Sequence, residues 1–223
     1  MKRTNRLLVA AMTGLMATTS LGAIAVNAET AKPATETKAP EKAQYSTQKQ
    51  LLKTADEALA TLTNARQARL ALLDNKIDVA KTHVVEATKA LTEGETDLKA
   101  LRVADTEKAD AKPEYLPFNM SMSLSESFKA TKENEAALEK AYGLMQTGDK
   151  DAAVDVLRVA SIDVNISAAL LPEASSMDHL KQAAELIDKK EYFAANLALK
   201  EIEDSVVVRS FSINAIPQQG DLG

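Results

Sequence analysis

The sequence predicts a mainly α-helical protein, antiparallel helical hairpins packed as one domain, with room for a small β element of short strands. Three observations predict it. Apolar residues recur at steps of three and four through most of the chain, the spacing of one helical face. Ala and Leu are abundant, glycine is scarce and Trp is absent, which suits helices packed closely through small residues. A few short stretches alternate apolar and polar residues instead, the period of a strand.

The chain opens with a targeting pattern. Lys2, Arg3 and Arg6 form a positive region, Leu7 to Leu21 carries an apolar run, and Val26-Asn27-Ala28 offers small residues at the spacing a signal peptidase reads. Residues 1–28 are therefore expected to be a signal peptide cleaved after Ala28, because the run is short and Thr-rich for a membrane anchor. Residues 29–45, rich in Ala, Thr, Lys, Glu and Pro with no apolar period, read as a disordered linker. Residues 46–213 form the single helical domain, and 214–223 a flexible tail.

Within the domain, Leu52, Ala55, Leu59 and Leu62 begin a helical stripe near Ser46, and Ile77, Ala80, Val84, Ala87 and Leu91 continue a clearer one. Asp74-Asn75-Lys76 between them reads as a tight turn, so two long antiparallel helices are expected. Pro113 and Pro117 block any continuing helix. Phe118-Asn-Met120-Ser-Met122-Ser-Leu124 then alternates strictly, predicting a strand. Helical spacing resumes at Leu138, Ala141 and Met145 and passes the turn Thr147-Gly148-Asp149 to Ala152, Val156 and Val159. Residues 162–168 fit helix or strand equally, and Pro172 ends them. Ser175 with Asp178 resembles a capping arrangement for a helix through Ile187. A last helix spans about Glu191 to Asp204, and the β-branched run Val206 to Ile213 is a candidate edge strand. A weak internal echo sets Leu72, Leu144 and Leu186 four residues before Lys76, Gly148 and Lys190, and eight before Ala80, Ala152 and Ala194. Each set describes helix, turn, helix.

Composition narrows the chemistry. The net charge of −5 becomes −8 once three basic signal residues are removed, a poor match to nucleic acid. The absence of cysteine removes disulfides, thiolate metal sites and cysteine nucleophiles together. His83 with Glu86, and His179 with Asp178, would make a metal site only if both pairs converged, and surface pairing is the expected reading. No Gly-x-Ser-x-Gly elbow or phosphate-cradling glycine loop is present. No catalytic, metal or cofactor residue is assigned, and a non-enzymatic protein is expected. Ser121, Ser123 and Ser125 fit a strand whose polar face meets solvent, and Glu201-Ile-Glu203-Asp204 a solvated helix end. Met120 and Met122 suit either core packing, the favoured reading, or an adaptable binding surface.

Several segments together resemble the YfdX family of bacterial stress proteins. They are Leu116-Pro117 leading into Met120-Ser-Met122-Ser-Leu124, the run Val156 to Val164, Leu170-Leu171-Pro172, and Tyr192 to Lys200. The resemblance spans about Leu51 to Ile213. It implies a periplasmic, mainly helical, oligomeric protein of acid and heat resistance with a chaperone-like role. Its partners would be unfolded clients held without ATP, or else a small apolar ligand linked to antibiotic susceptibility. Acid protonation of Glu201, Glu203 and Asp204 beside the apolar Val206 to Val208 would offer such a holdase a switch.

Overall fold

The computed structural model describes residues 47–220, apart from 94, 106–112 and 127. The expected signal peptide and linker lie outside the described residues. In chain order the elements are α1 (Asp56–Leu73), α2 (Ile77–Glu93), α3 (Glu95–Leu101), β1 (Val103–Ala104), β2 (Pro113–Leu124), α4 (Lys132–Gln146), α5 (Lys150–Val159), β3 (Val164–Pro172), α6 (Glu173–Asp188), α7 (Tyr192–Asp204) and β4 (Val207–Ser212). The four strands form one antiparallel sheet in the order β1-β2-β3-β4. The fold is thus mixed α/β, with a sheet far more substantial than the small β element expected.

Helices α1, α2, α6 and α7 make a bundle in which α1 packs on α2 and α7, and α6 packs on both of those as well. Its core is dominated by small residues: Ala58, Ala65, Ala68, Ala80, Ala87, Ala183 and Ala195 are each fully buried. Alanines at these contacts let the helix axes approach closely, which is the structural meaning of the Ala-rich composition. A second core lies between the sheet and the α4–α5 hairpin, built on Val154, Leu157, Val164, Ile166 and Leu170.

The three hairpin turns are copies of one geometry. Asn75, Gly148 and Lys190 all take positive φ, at 58°, 85° and 62°. The following amides close back on the helix, Lys76 N to Ala71 O at 2.8 Å, Asp149 N to Leu144 O at 2.9 Å and Glu191 N to Leu186 O at 2.8 Å. This is the glycine-type helix end, reached twice without glycine. Aligned on these bonds, the echo read from sequence is displaced by one residue in places. Ala71 matches Leu144 and Leu186, and the buried small residues are Ala80, Ala153 and Ala195.

β2 and β3 pair over nearly their whole lengths, from Tyr115↔Pro172 to Leu124↔Val164, with a bulge between Pro117 and Asn119. The ambiguous stretch 162–168 is strand from Val164 onward. Leu116 and Leu171, directly paired, are fully buried in the helical core, whereas Ile166, Ala168 and Leu170 face the second core. The ladder therefore passes from one core to the other. Its far face, carrying Ser121, Ser123 and Asn165, is exposed.

The sheet curls until its edge strands meet. Asp105, fully buried just past β1, accepts from Arg209 Nε at 2.8 Å and Nη2 at 3.0 Å on β4. The chain ends are stitched over the second core. Thr47 bridges Pro217, Gln48 N donates to Ile216 O at 2.9 Å, and Gln219 Oε1 accepts from Lys53 N at 2.7 Å. Arg158 donates to Ile213 O at 2.7 Å and also to Lys49 O.

Three expectations are corrected here. Residues 214–220 do not form a loose tail: Ile216 is fully buried, and Gln219 Nε2 donates to Leu101 O at 2.8 Å. The first helix begins at Asp56 rather than near Ser46, because residues 47–55 are drawn out along the C-terminal segment and Ala55 N donates to Pro117 O at 2.7 Å. Ser175 does not cap α6. That helix starts at Glu173 straight from Pro172 with no side-chain cap, its first turn held by Arg102, which donates twice to Glu173 at 2.6 Å.

Two stability outcomes follow from this geometry. Arg209→Met removes two hydrogen bonds from the fully buried Asp105, and urea unfolding should show a loss of about 3–5 kcal/mol, the cost of breaking a buried pair from the side that leaves the buried charge. Lys190→Gly relieves a left-handed conformation at a helix end and should raise stability by about 1 kcal/mol in the same assay.

Candidate functional site

A concavity runs beside β2, where the sheet order leaves an edge open among the described residues. β1 pairs only with Pro113 and Tyr115, so no strand lies against the outer edge of Asn119–Leu124 among the described residues. A groove of about 570 Å³ lies beside Asn119, Met120 and Met122 of that stretch. Its apolar surface comes from Met120, Met122, Phe118 and Met145, with Leu51 and Leu52 from the terminal segment opposite. Lys53, Asp149, Lys150 and Asp151 rim it with both signs of charge. Both carboxylates are already committed, Asp149 accepting from Ala152 N at 3.2 Å and Asp151 from Leu51 N at 3.1 Å.

The bulge decides which side chains reach the groove. Phe118 through Leu124 alternate without interruption in sequence, yet Phe118 packs against the helical core while Met120 and Met122 pack against the second one. One extra residue in β2 restores the parity needed for both. Met120 and Met122 are half-buried rather than full members of the core. Methionine's flexible, polarisable chain lets such a surface adapt to irregular apolar partners.

The histidines stay apart from this groove. His83, on α2, has Nδ1 at 2.9 Å from Asn64 Oδ1, an oxygen that only accepts, so Nδ1 carries the proton. Glu86 is exposed in a separate acidic cleft between α1 and α2. His179 is half-buried on α6, with Asp178 exposed beside it. No group of three His, Asp or Glu with metal-binding geometry occurs among the described residues.

The acidic end of α7 is more than a solvated helix end. Glu203 is clasped by two arginines of α1, Arg66 Nε at 2.8 Å and Arg69 Nη1 at 2.5 Å, and Arg69 Nε also donates to Asn196 at 2.9 Å. Burial by itself would raise the Glu203 carboxyl, but the hydrogen bonds and charges of Arg66 and Arg69 outweigh it and hold it below the ordinary carboxylate value. Asp204 pairs with Lys200, and Glu201 is exposed. Sequence reasoning misses the clasp because its partners stand more than 130 residues upstream. The positions of Arg66 and Arg69 at the margin of the α1 stripe are the only trace of it.

The architecture defines a class: a four-helix bundle fused through one β ladder to a curled sheet, with a groove of mixed polar and methionine-rich lining beside β2. The chain belongs to the YfdX family, whose family model, described as YfdX protein, matches residues 61–212. Protein YfdX of Escherichia coli K12 is 34% identical over 156 residues, covering 70% of this chain and 74% of that protein. A solved structure of Salmonella Typhi YfdX matches with a TM-score of 0.60 at 24% identity, covering 77% of this chain and 98% of that one. That likeness shows the fold. No helix among the described residues is long and apolar enough to cross a membrane.

The clasp makes a pH prediction with a definite sign. Glu203 has a depressed carboxyl in the folded state, so its contribution is present above the unfolded value and is lost as pH falls through the folded one. Glu203→Gln should therefore cost up to about 1 kcal/mol at neutral pH, and the difference from wild type should shrink as unfolding is measured at progressively lower pH.

Proposed function

We propose that this protein is a periplasmic stress-response factor that holds partly unfolded clients without consuming nucleotide, protecting them under acid and heat. One observation carries the reading: a groove holding Met120, Met122 and Met145, set against a strand edge that is unpaired among the described residues. An unfolded segment offers apolar side chains and unsatisfied backbone groups together. The groove offers adaptable methionines among polar rim groups and, beside Asn119, Met120 and Met122, a β edge that is unpaired among the described residues, the two halves of strand-addition binding. Membership of the YfdX family supports the assignment at family level, and the targeting pattern of residues 1–28 supports export.

Acid acts on such a holdase through its surface charge. Protonation of surface carboxylates at low pH reduces the repulsion of an acidic chain, whereas Glu203, held below the ordinary carboxylate value by Arg66 and Arg69, keeps its charge and the α1–α7 clasp to lower pH. Val208, largely exposed on the edge strand β4, is an apolar side chain that such a loss of repulsion would leave open to a client.

A second reading has its own support. A groove of about 570 Å³ is in the size range of small-molecule sites, so an apolar ligand bound in a defined stoichiometry is the alternative occupant.

The deciding experiment follows thermal aggregation of a model client by light scattering, with the mature chain added at neutral pH and near pH 4, roughly the range in which carboxylates titrate. Suppression at equimolar or lower ratios is the expected result, stronger at the acid value. Met120→Ser with Met122→Ser should weaken suppression severalfold while circular dichroism stays native. Absence of suppression at both pH values would sink the holdase, and saturable one-to-one binding of an apolar dye in the same groove would favour the ligand reading.

A further inference from the structure

The methionines of this chain converge, and we infer that Met120, Met122 and Met145 form a binding site for a soft monovalent metal ion, copper(I) or silver(I). The inference rests on the placement of these side chains and is independent of whether the β2 groove holds clients. Of seven methionines, Met1, Met12 and Met16 fall in the expected signal peptide, which leaves Met120, Met122, Met145 and Met177. Met120, Met122 and Met145 all line the groove beside β2, while Met177, on α6, packs against the helical core.

Strand geometry brings in two of the ligands together. Side chains two residues apart on a strand share a face, with Cα atoms about 7 Å apart, so Met120 and Met122 enter the groove side by side from β2. Met145 comes from the last turn of α4. All three are half-buried and pack against the second core, so each has an apolar anchor and still reaches the groove. Methionine is unbranched and freely rotating, which lets the three sulfurs gather on one ion while strand and helix stay in place.

The rest of the lining decides which metal. Thioether sulfur is a neutral, polarisable ligand that selects soft ions, whereas zinc and copper(II) want imidazole, carboxylate or thiolate. The chain has no cysteine, and neither histidine lines the groove. The rim carboxylates of Asp149 and Asp151 hold backbone amides, and Lys53 and Lys150 balance their charge. Leu51, Leu52 and Phe118 add apolar wall around the methionines. Thioethers also carry no proton to lose, so uptake should persist in acid, where imidazole and thiolate sites release their metal.

Titration of the mature chain with silver nitrate in chloride-free buffer, followed through isotope-labelled methionine methyl groups by NMR, tests the site. The expected result is saturation at a single ion per chain, with the signals of Met120, Met122 and Met145 shifting together and that of Met177 unmoved. Met122→Leu keeps the apolar shape and removes one sulfur, so it should weaken binding about tenfold or more. Met177→Leu should leave binding unchanged. Copper(I), supplied under anaerobic reducing conditions, should bind in the same ratio, with only sulfur around the ion in X-ray absorption. No client is present, so the outcome stands apart from the aggregation assay. Failure to take up either ion, uptake that leaves the three methionine signals in place, affinity indifferent to Met122→Leu, or zinc bound as tightly as silver would each overturn the site. Silver binding that vanishes below about pH 6, where imidazole is protonated, would overturn it as well.

Discussion

The curled sheet depends on one buried carboxylate. Asp105 is wholly removed from solvent, a position in which a charge is tolerated only with a partner supplying hydrogen bonds, and Arg209 supplies two. Because the two residues sit at opposite edges of a four-stranded sheet, satisfying Asp105 obliges the sheet to curl. Curling in turn creates the concave side on which α4 and α5 pack, and it brings the terminal segments within reach of each other. The stitching of Gln48, Lys53 and Gln219 and the reach of Arg158 to both chain ends are consequences of that closure.

How much of this is legible in the chain divides along sequence separation. The hairpins α1–α2, α4–α5 and α6–α7 are readable because their signals are local: an apolar period, a turn, and a small residue in the returning helix. The Phe118–Leu124 alternation likewise announces a strand. Its meaning stays hidden, since a bulge at Phe118 sends one end of an unbroken pattern into the bundle and the other toward the groove. The extent of the sheet is hard to read because β3 is near-continuously apolar at its end, which fits helix as well as strand over so short a length. The groove announces itself only through its methionines. The Glu203 clasp and the Asp105–Arg209 pair are invisible, since ordinary charged residues carry no mark of the partners that folding brings to them.

Two cores in one chain raise the question of which can yield without loss of the fold. The bundle is alanine-packed, with four helices covering one another, and it owns the paired leucines Leu116 and Leu171 at the root of the ladder. The second core is covered by a hairpin of two shorter helices and by two extended segments that contribute few residues each. Local opening concentrates where apolar contacts are fewest and coverings are thinnest. Leu51 and Leu52 form one wall of the Met-lined groove and belong to such a covering segment, so the groove can widen by displacing residues 47–54 while the bundle stays closed. The β ladder keeps the strand edge in place as this happens, because its register is anchored in the other core. A rigid edge beside a yielding wall is what a site needs if it is to accept partners of varied shape without unfolding its own scaffold.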